Sequence, residues 1–107
     1  MGVSRTDYLM LAVDVGTDSF DWDKHEAEAA GAPSARFDIV YDGMCGGYCF
    51  AGKVIARSDP HEGFGQEVIV PSQLDIDRYD LAAKVSEAFG AKHAAEDFRL
   101  VLFSHFS

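Results

Sequence analysis

The stretch Phe37-Asp-Ile-Val-Tyr-Asp-Gly-Met-Cys-Gly-Gly-Tyr-Cys-Phe-Ala-Gly-Lys-Val-Ile-Ala-Arg57 decides the fold class. Two alternating apolar runs flank a glycine pair, and glycines reach the positive φ that tight hairpin turns require. A two-residue turn at Gly46-Gly47 pairs Cys45 with Tyr48, Tyr41 with Gly52, Ile39 with Val54 and Phe37 with Ala56. One face then reads Phe37, Ile39, Tyr41, Phe50, Val54 and Ala56, nearly all apolar. The other reads Asp38, Val40, Asp42, Ala51, Lys53 and Ile55, as a partly wet face would. A turn at Asp42-Gly43 is the competing register. It sets Gly46 opposite Ile39 in the core, so the first register, which puts side chains where burial is needed, is preferred.

Upstream of this hairpin, Tyr8 to Val15 is apolar on both alternating faces, the pattern of a strand that is covered on both sides or paired centrally. Gly16 to Ser19 breaks it. Trp22 to Ala30 predicts a short helix with Ser19 or Asp21 as cap and Gly31 as stop; at little over two turns it needs Trp22 to pack. Downstream, residues 58 to 66 are rich in turn formers, and Glu67 to Val70 has the composition of a short extra strand stopped by Pro71. Tyr79, Ala82, Ala83, Val85, Ala88 and Phe89 recur at helical spacing over 77 to 89, with Asp75 or Asp77 as cap and Gly90 as stop. Phe98 to Phe106 closes the chain as a strand that is apolar on both faces.

The order strand, helix, two strands, helix, strand predicts an α+β fold. Its expected form is one small domain over residues 1 to 107, an antiparallel sheet with two helices on one face, in the βαββαβ (ferredoxin-like) order with room for the extra strand. A chain of 107 residues can bury roughly 60 to 70% of its unfolded surface, enough for a core without disulfide or metal. No apolar run approaches the ~20 residues of a membrane span, and Met1 to Asp7 lacks a secretory signal, so the expectation is a soluble cytoplasmic protein.

The formal net charge is -9, and its distribution says more than its total. Residues 14 to 28 hold Asp14, Asp18, Asp21, Asp23, Glu26 and Glu28 against Lys24, a net -5. Residues 59 to 80 hold Asp59, Glu62, Glu67, Asp75, Asp77 and Asp80 against Arg78, again -5. The remaining residues carry six acids and seven bases. Carboxylates near helix starts complement the macrodipole, which accounts for part of this clustering. The functional expectation is that the two segments converge on one acidic face. Such a balance argues against direct binding to nucleic acid or anionic lipid, both of which need Lys and Arg.

Recognisable chemistry is scarce. Gly43-Met44-Cys45-Gly46-Gly47 matches a thiol version of the G-x-S-x-G elbow, but that elbow must open a helix and the residues after it read as strand. Cys45 and Cys49 lie about 13 Å apart in a regular strand, too far for a disulfide or a shared metal, and are read as reduced thiols. His25, His61, His93 and His105 show no paired ligand spacing. Neither acidic segment has the 1, 3, 5 spacing and terminal Glu of an EF-hand, and no phosphate-binding glycine loop is present. No cofactor and no metal are expected.

Binding therefore outweighs chemistry. The twelve acids are the expected partner site, directed at a basic protein surface such as the groove of a nucleic-acid-binding protein or complex, where carboxylates imitate phosphates. Small inhibitors of nucleases and of bacterial immune effectors, phage anti-CRISPR proteins among them, are often acidic single domains, an analogy of type and not of sequence. One alternative is a small ligand-binding or thiol-dependent enzyme domain at the Gly43 to Gly47 turn, using Cys45, Tyr48 and His61. Another is an assembly protein that forms a homodimer through its last strand, whose edge and second face are apolar.

Overall fold

A computed structural model describes residues 4–59 and 61–106; Met1 to Val3, Pro60 in the turn-rich loop and Ser107 lie outside the described residues. The elements follow one another as β1 (Arg5–Asp14), α1 (Trp22–Ala30), β2 (Asp38–Tyr41), β3 (Cys49–Arg57), α2 (Pro71–Phe89) and β4 (Arg99–Phe106), with 3-10 turns at Thr17–Ser19 and Ala95–Asp97. The strands form one four-stranded sheet in the order β2-β3-β1-β4, every neighbouring pair antiparallel. It is a small α+β domain with β2 and β4 at the edges.

The apolar-on-both-faces pattern of β1 has a distinct cover on each side. Leu11 shares a cluster with Cys49 and Ala51 of β3 and Ile39 of β2, and α2 sets Leu81 and Val85 against it while α1 contributes Ala29. Burying one Leu or Val contributes about 1.5–3 kcal/mol, so this seam holds the helices to the sheet. Met10 and Ala12 face the other way and are equally buried, together with Val40, under Tyr8, Tyr48, Phe50, Val54 and Phe103. No helix residue belongs to that second cluster.

What covers the second face is the sheet itself. Phe50 lies opposite Asp14 and Phe103 opposite Tyr8. Six residues of straight strand span roughly 20 Å. The two rings nonetheless sit 4.7 Å apart, and the Tyr48 hydroxyl lies 2.7 Å from His105 Nδ1. Opposite corners meet only if the sheet coils strongly, with its open face concave and filled by aromatics. A bulge at Leu9/Met10 sharpens the local twist. Gly52 lies opposite Ala12 of β1, and any Cβ there would run into the Leu11 carbonyl.

Three local expectations are corrected. The hairpin register is neither of the two derived from sequence: Ile39 faces Ala51 and Tyr41 faces Cys49, around a loop spanning 42–48. Asp42 accounts for the difference, because its carboxylate accepts the backbone N–H groups of Met44, Cys45 and Gly47 at 2.9–3.2 Å and so satisfies donors that a continuing ladder would have needed. The second helix begins at Pro71 and not near residue 77, since proline's fixed φ and missing N–H suit a first turn. Asp75 and Asp77 are consequently inside the helix and cap nothing. Glu67 to Val70 pairs with no strand.

Candidate functional site

A groove forms where the start of α1 meets the end of α2, and the first acidic segment builds most of it. Asp14 ends β1 by accepting N–H bonds from Gly16 (2.9 Å) and Cys49 (3.1 Å), and Gly16 turns the chain at φ 83°. Asp21 caps α1, its Oδ1 accepting from Asp23 N at 2.9 Å. His25, 2% exposed, then locks α1 onto α2. Its Nδ1 accepts from Asp21 N at 3.1 Å, which makes Nε2 the protonated nitrogen that donates to the Ala88 carbonyl at 3.1 Å. The ring stacks on Phe89 with centroids 4.3 Å apart. This histidine, more than Trp22, is what stabilises so short a helix.

Trp22 has another place. It is 57% exposed and stands edge-on to Phe20 at 4.9 Å, while Phe20 stacks on Tyr41 at 4.5 Å. The groove is about 730 Å3 and lined by Asp18, Asp21, Trp22, Asp23, Glu87 and Gly90 among others. Lys24 is the one base in the lining, against four carboxylates. None of those four is ion-paired among the described residues. The last turn of α2 carries no base either, so the negative end of its dipole adds to the same field. Carboxylates, outward helix carbonyls and an exposed indole together can accept hydrogen bonds from a guanidinium or ammonium group and stack against it.

The twelve acids expected to meet a partner are not equivalent. Asp18 and Asp23 are exposed in the lining of the groove, and Glu26 is exposed on α1 outside that lining. Asp14 and Asp21 satisfy local backbone donors, and Glu28, 4% exposed, is inside the molecule with Arg36 at 3.3 Å. In the second segment Asp59 closes its own turn by accepting from His61 N and Glu62 N. Asp75 pairs with Arg78, Asp80 with Lys84, and Asp77 with Lys53 at 3.0 Å. The hydrogen bond from Lys53, joined by one from Gln73, holds the Asp77 carboxyl below its usual range. Glu62 and Glu67 remain exposed. The first segment abuts Ala88 to Gly90, whereas Asp75, Asp77 and Asp80 lie in the first half of α2. Thirteen helical residues separate Asp75 from Ala88, roughly 20 Å along the axis, and eight separate Asp80 from it, roughly 12 Å.

Glu87 was not among the expected residues. It belongs to the nearly neutral remainder of the chain, and only the docking of α1 against the end of α2 brings it to the groove. The residues considered for thiol chemistry are not assembled. Cys45 is exposed on the 42–48 loop, and Tyr48 meets His105, with no hydrogen bond to Cys45 or His61. Burial, with Asp14 adding to it, pushes the Cys49 thiol up to about 12, the opposite of activation. Among the described residues no group of three or more His, Cys, Asp or Glu could hold a metal ion, and no helix is long and apolar enough to cross a membrane. No protein-family model, curated protein or solved structure matches the chain.

Proposed function

We propose that the protein acts by binding, and that it engages a basic protein surface through the groove between α1 and the end of α2. One observation carries this reading: Asp18, Asp21, Asp23 and Glu87 converge with the carbonyl end of α2 around an exposed Trp22, with a single lysine to balance them. Uncompensated carboxylates beside an indole suit arginine better than lysine, because a guanidinium both forks to carboxylate and stacks on an aromatic ring. Partners of this kind include proteins whose own basic groove holds nucleic acid, and occupancy of that groove would make this protein an inhibitor. Its action is assigned to the cytoplasm. The finer architecture is read as ferredoxin-like, two strand-helix-strand units whose strands interleave, in line with the strand order.

Trp22 is the single tryptophan, so its fluorescence reports on this groove alone. Titration with an arginine-rich peptide is expected to change the emission saturably, more strongly than with the equivalent lysine peptide, and to weaken as salt rises. Emission that stays flat at low salt, or a response equal for a glutamate-rich peptide, contradicts the reading.

A second reading is favoured by β4. Among the described residues nothing pairs with its outer edge, and Leu100, Leu102 and Phe106 are 48%, 72% and 48% exposed. Two copies joined there would form a homodimer with a continuous sheet and cover those leucines. Sedimentation over a range of concentrations tests it: a dimer that Leu102→Lys dissociates supports the pairing, and a monomer throughout removes it.

A further inference from the structure

The outward face of α2 carries a feature that the acidic groove does not use. Ile76 and Tyr79 are 64% and 74% exposed, and with Ala83, also exposed, they recur at i, i+3 and i+7. This spacing aligns them as a stripe one side of a helix presents, opposite the side on which Leu81 and Val85 are buried. It is the a-d-a pattern of a helix-pairing seam. The positions that flank such a seam hold Asp75, Asp80 and Glu87 as their charged residues, all acidic. Arg78 and Lys84 lie further round the helix, held in exposed pairs with Asp75 and Asp80, contacts that contribute little and yield readily to a competitor.

We propose that this stripe docks a helix of another protein, one whose apolar seam is flanked by Lys or Arg. The flanking charges choose the occupant. A second copy of this chain would set acid against acid on both sides of the seam, and an anionic membrane would meet the same repulsion. A helix with basic flanks instead gains a complementary contact at Asp75, Asp80 and Glu87 around two large apolar anchors. Glu87 also lines the groove, so the stripe and the groove share one flanking carboxylate. The inference rests on the basic-partner reading and adds the shape and the apolar anchors of that partner.

The test uses two synthetic amphipathic peptides with leucine at every seam position, one flanked by lysine and one by glutamate. Binding is followed by fluorescence anisotropy of the labelled peptides. The lysine-flanked peptide is expected to bind and the glutamate-flanked one not. The paired substitution Ile76→Ser with Tyr79→Ser should weaken binding at least about tenfold while circular dichroism stays unchanged. Both side chains point to solvent, so the variant is expected to fold. Failure of the lysine-flanked peptide to bind, equal binding of both peptides, or wild-type affinity in the paired variant overturns the proposal. If binding is instead lost only with Asp18→Asn and Asp23→Asn, the basic-partner reading stands and the stripe fails. Self-association that Tyr79→Ser abolishes overturns the choice of occupant.

Discussion

The two acidic segments each hold six carboxylates and the same net charge, yet the fold uses them differently. Residues 14 to 28 place exposed carboxylates on a concave groove beside an indole and the negative end of a helix, with little to balance them. In residues 59 to 80 Asp59 closes a turn and Asp75, Asp77 and Asp80 pair with Arg78, Lys53 and Lys84, which leaves only Glu62 and Glu67 exposed, away from the groove. Charge in a sequence is therefore not yet a charged surface. What matters is which carboxylates still lack partners after turns, caps and ion pairs have taken theirs.

The difference can be broken most severely at His25, which fastens the groove's two walls. His25→Ala leaves Asp21 N and Ala88 O without their partner and removes the stack on Phe89. Each buried group left unsatisfied costs about 1–3 kcal/mol, so a loss of about 3 kcal/mol is expected in urea unfolding, with the groove's binding lost as well. Charge reversal comes next. Asp18→Lys, Asp23→Lys and Glu87→Lys together should weaken an arginine-rich peptide about thirtyfold, roughly 2 kcal/mol, by calorimetry at low salt. Neutralising Asp59, Glu62 and Glu67 should change that affinity by less than about twofold, beyond any stability cost at the Asp59 turn. Asp77→Ala gives the reverse outcome: it releases Lys53 and Gln73 and should cost about 1 kcal/mol of stability with binding at the groove unchanged.

The smallest expected effect lies away from both segments. Burial holds the His105 imidazole below its usual 6.5, partly offset by the Asp42 carboxylate. A histidine with a depressed value in the folded state binds its proton more readily when unfolded. Its contribution to stability is thus present above pH ~6.5 and is lost as pH falls through the folded value. A neutral imidazole can also accept the Tyr48 hydroxyl at Nδ1, a role that protonation removes. Melting temperature measured from pH 7 to pH 5 should fall less in His105→Phe than in the parent protein. An identical slope for the two would show that His105 contributes nothing there.

Much of the fold is legible in the sequence because its signals are local. The α1 span, its stop at Gly31 and the α2 stop at Gly90 all follow from capping chemistry, and both glycines adopt the left-handed conformation that role requires. The two-faced apolarity of β1 correctly implies cover on both sides, although the second cover turns out to be the coiled sheet and not a further layer. The hairpin register escapes because one side chain, Asp42, competes with the ladder for N–H groups, and periodicity does not register that competition. Of the groove, the acids of the first segment are legible and Glu87 is not. Its part depends on a contact between residues 25 and 88 that no local pattern encodes.

Amide chemical shifts, followed in two-dimensional NMR while an arginine-rich peptide is added, test the difference between the segments most directly. The account predicts shifts that saturate at Asp18 to Glu26, at the Trp22 indole and at Glu87 to Gly90, with residues 59 to 67 unmoved. Shifts at residues 59 to 67 as large as those at the groove, or shifts confined to residues 59 to 67, would contradict it.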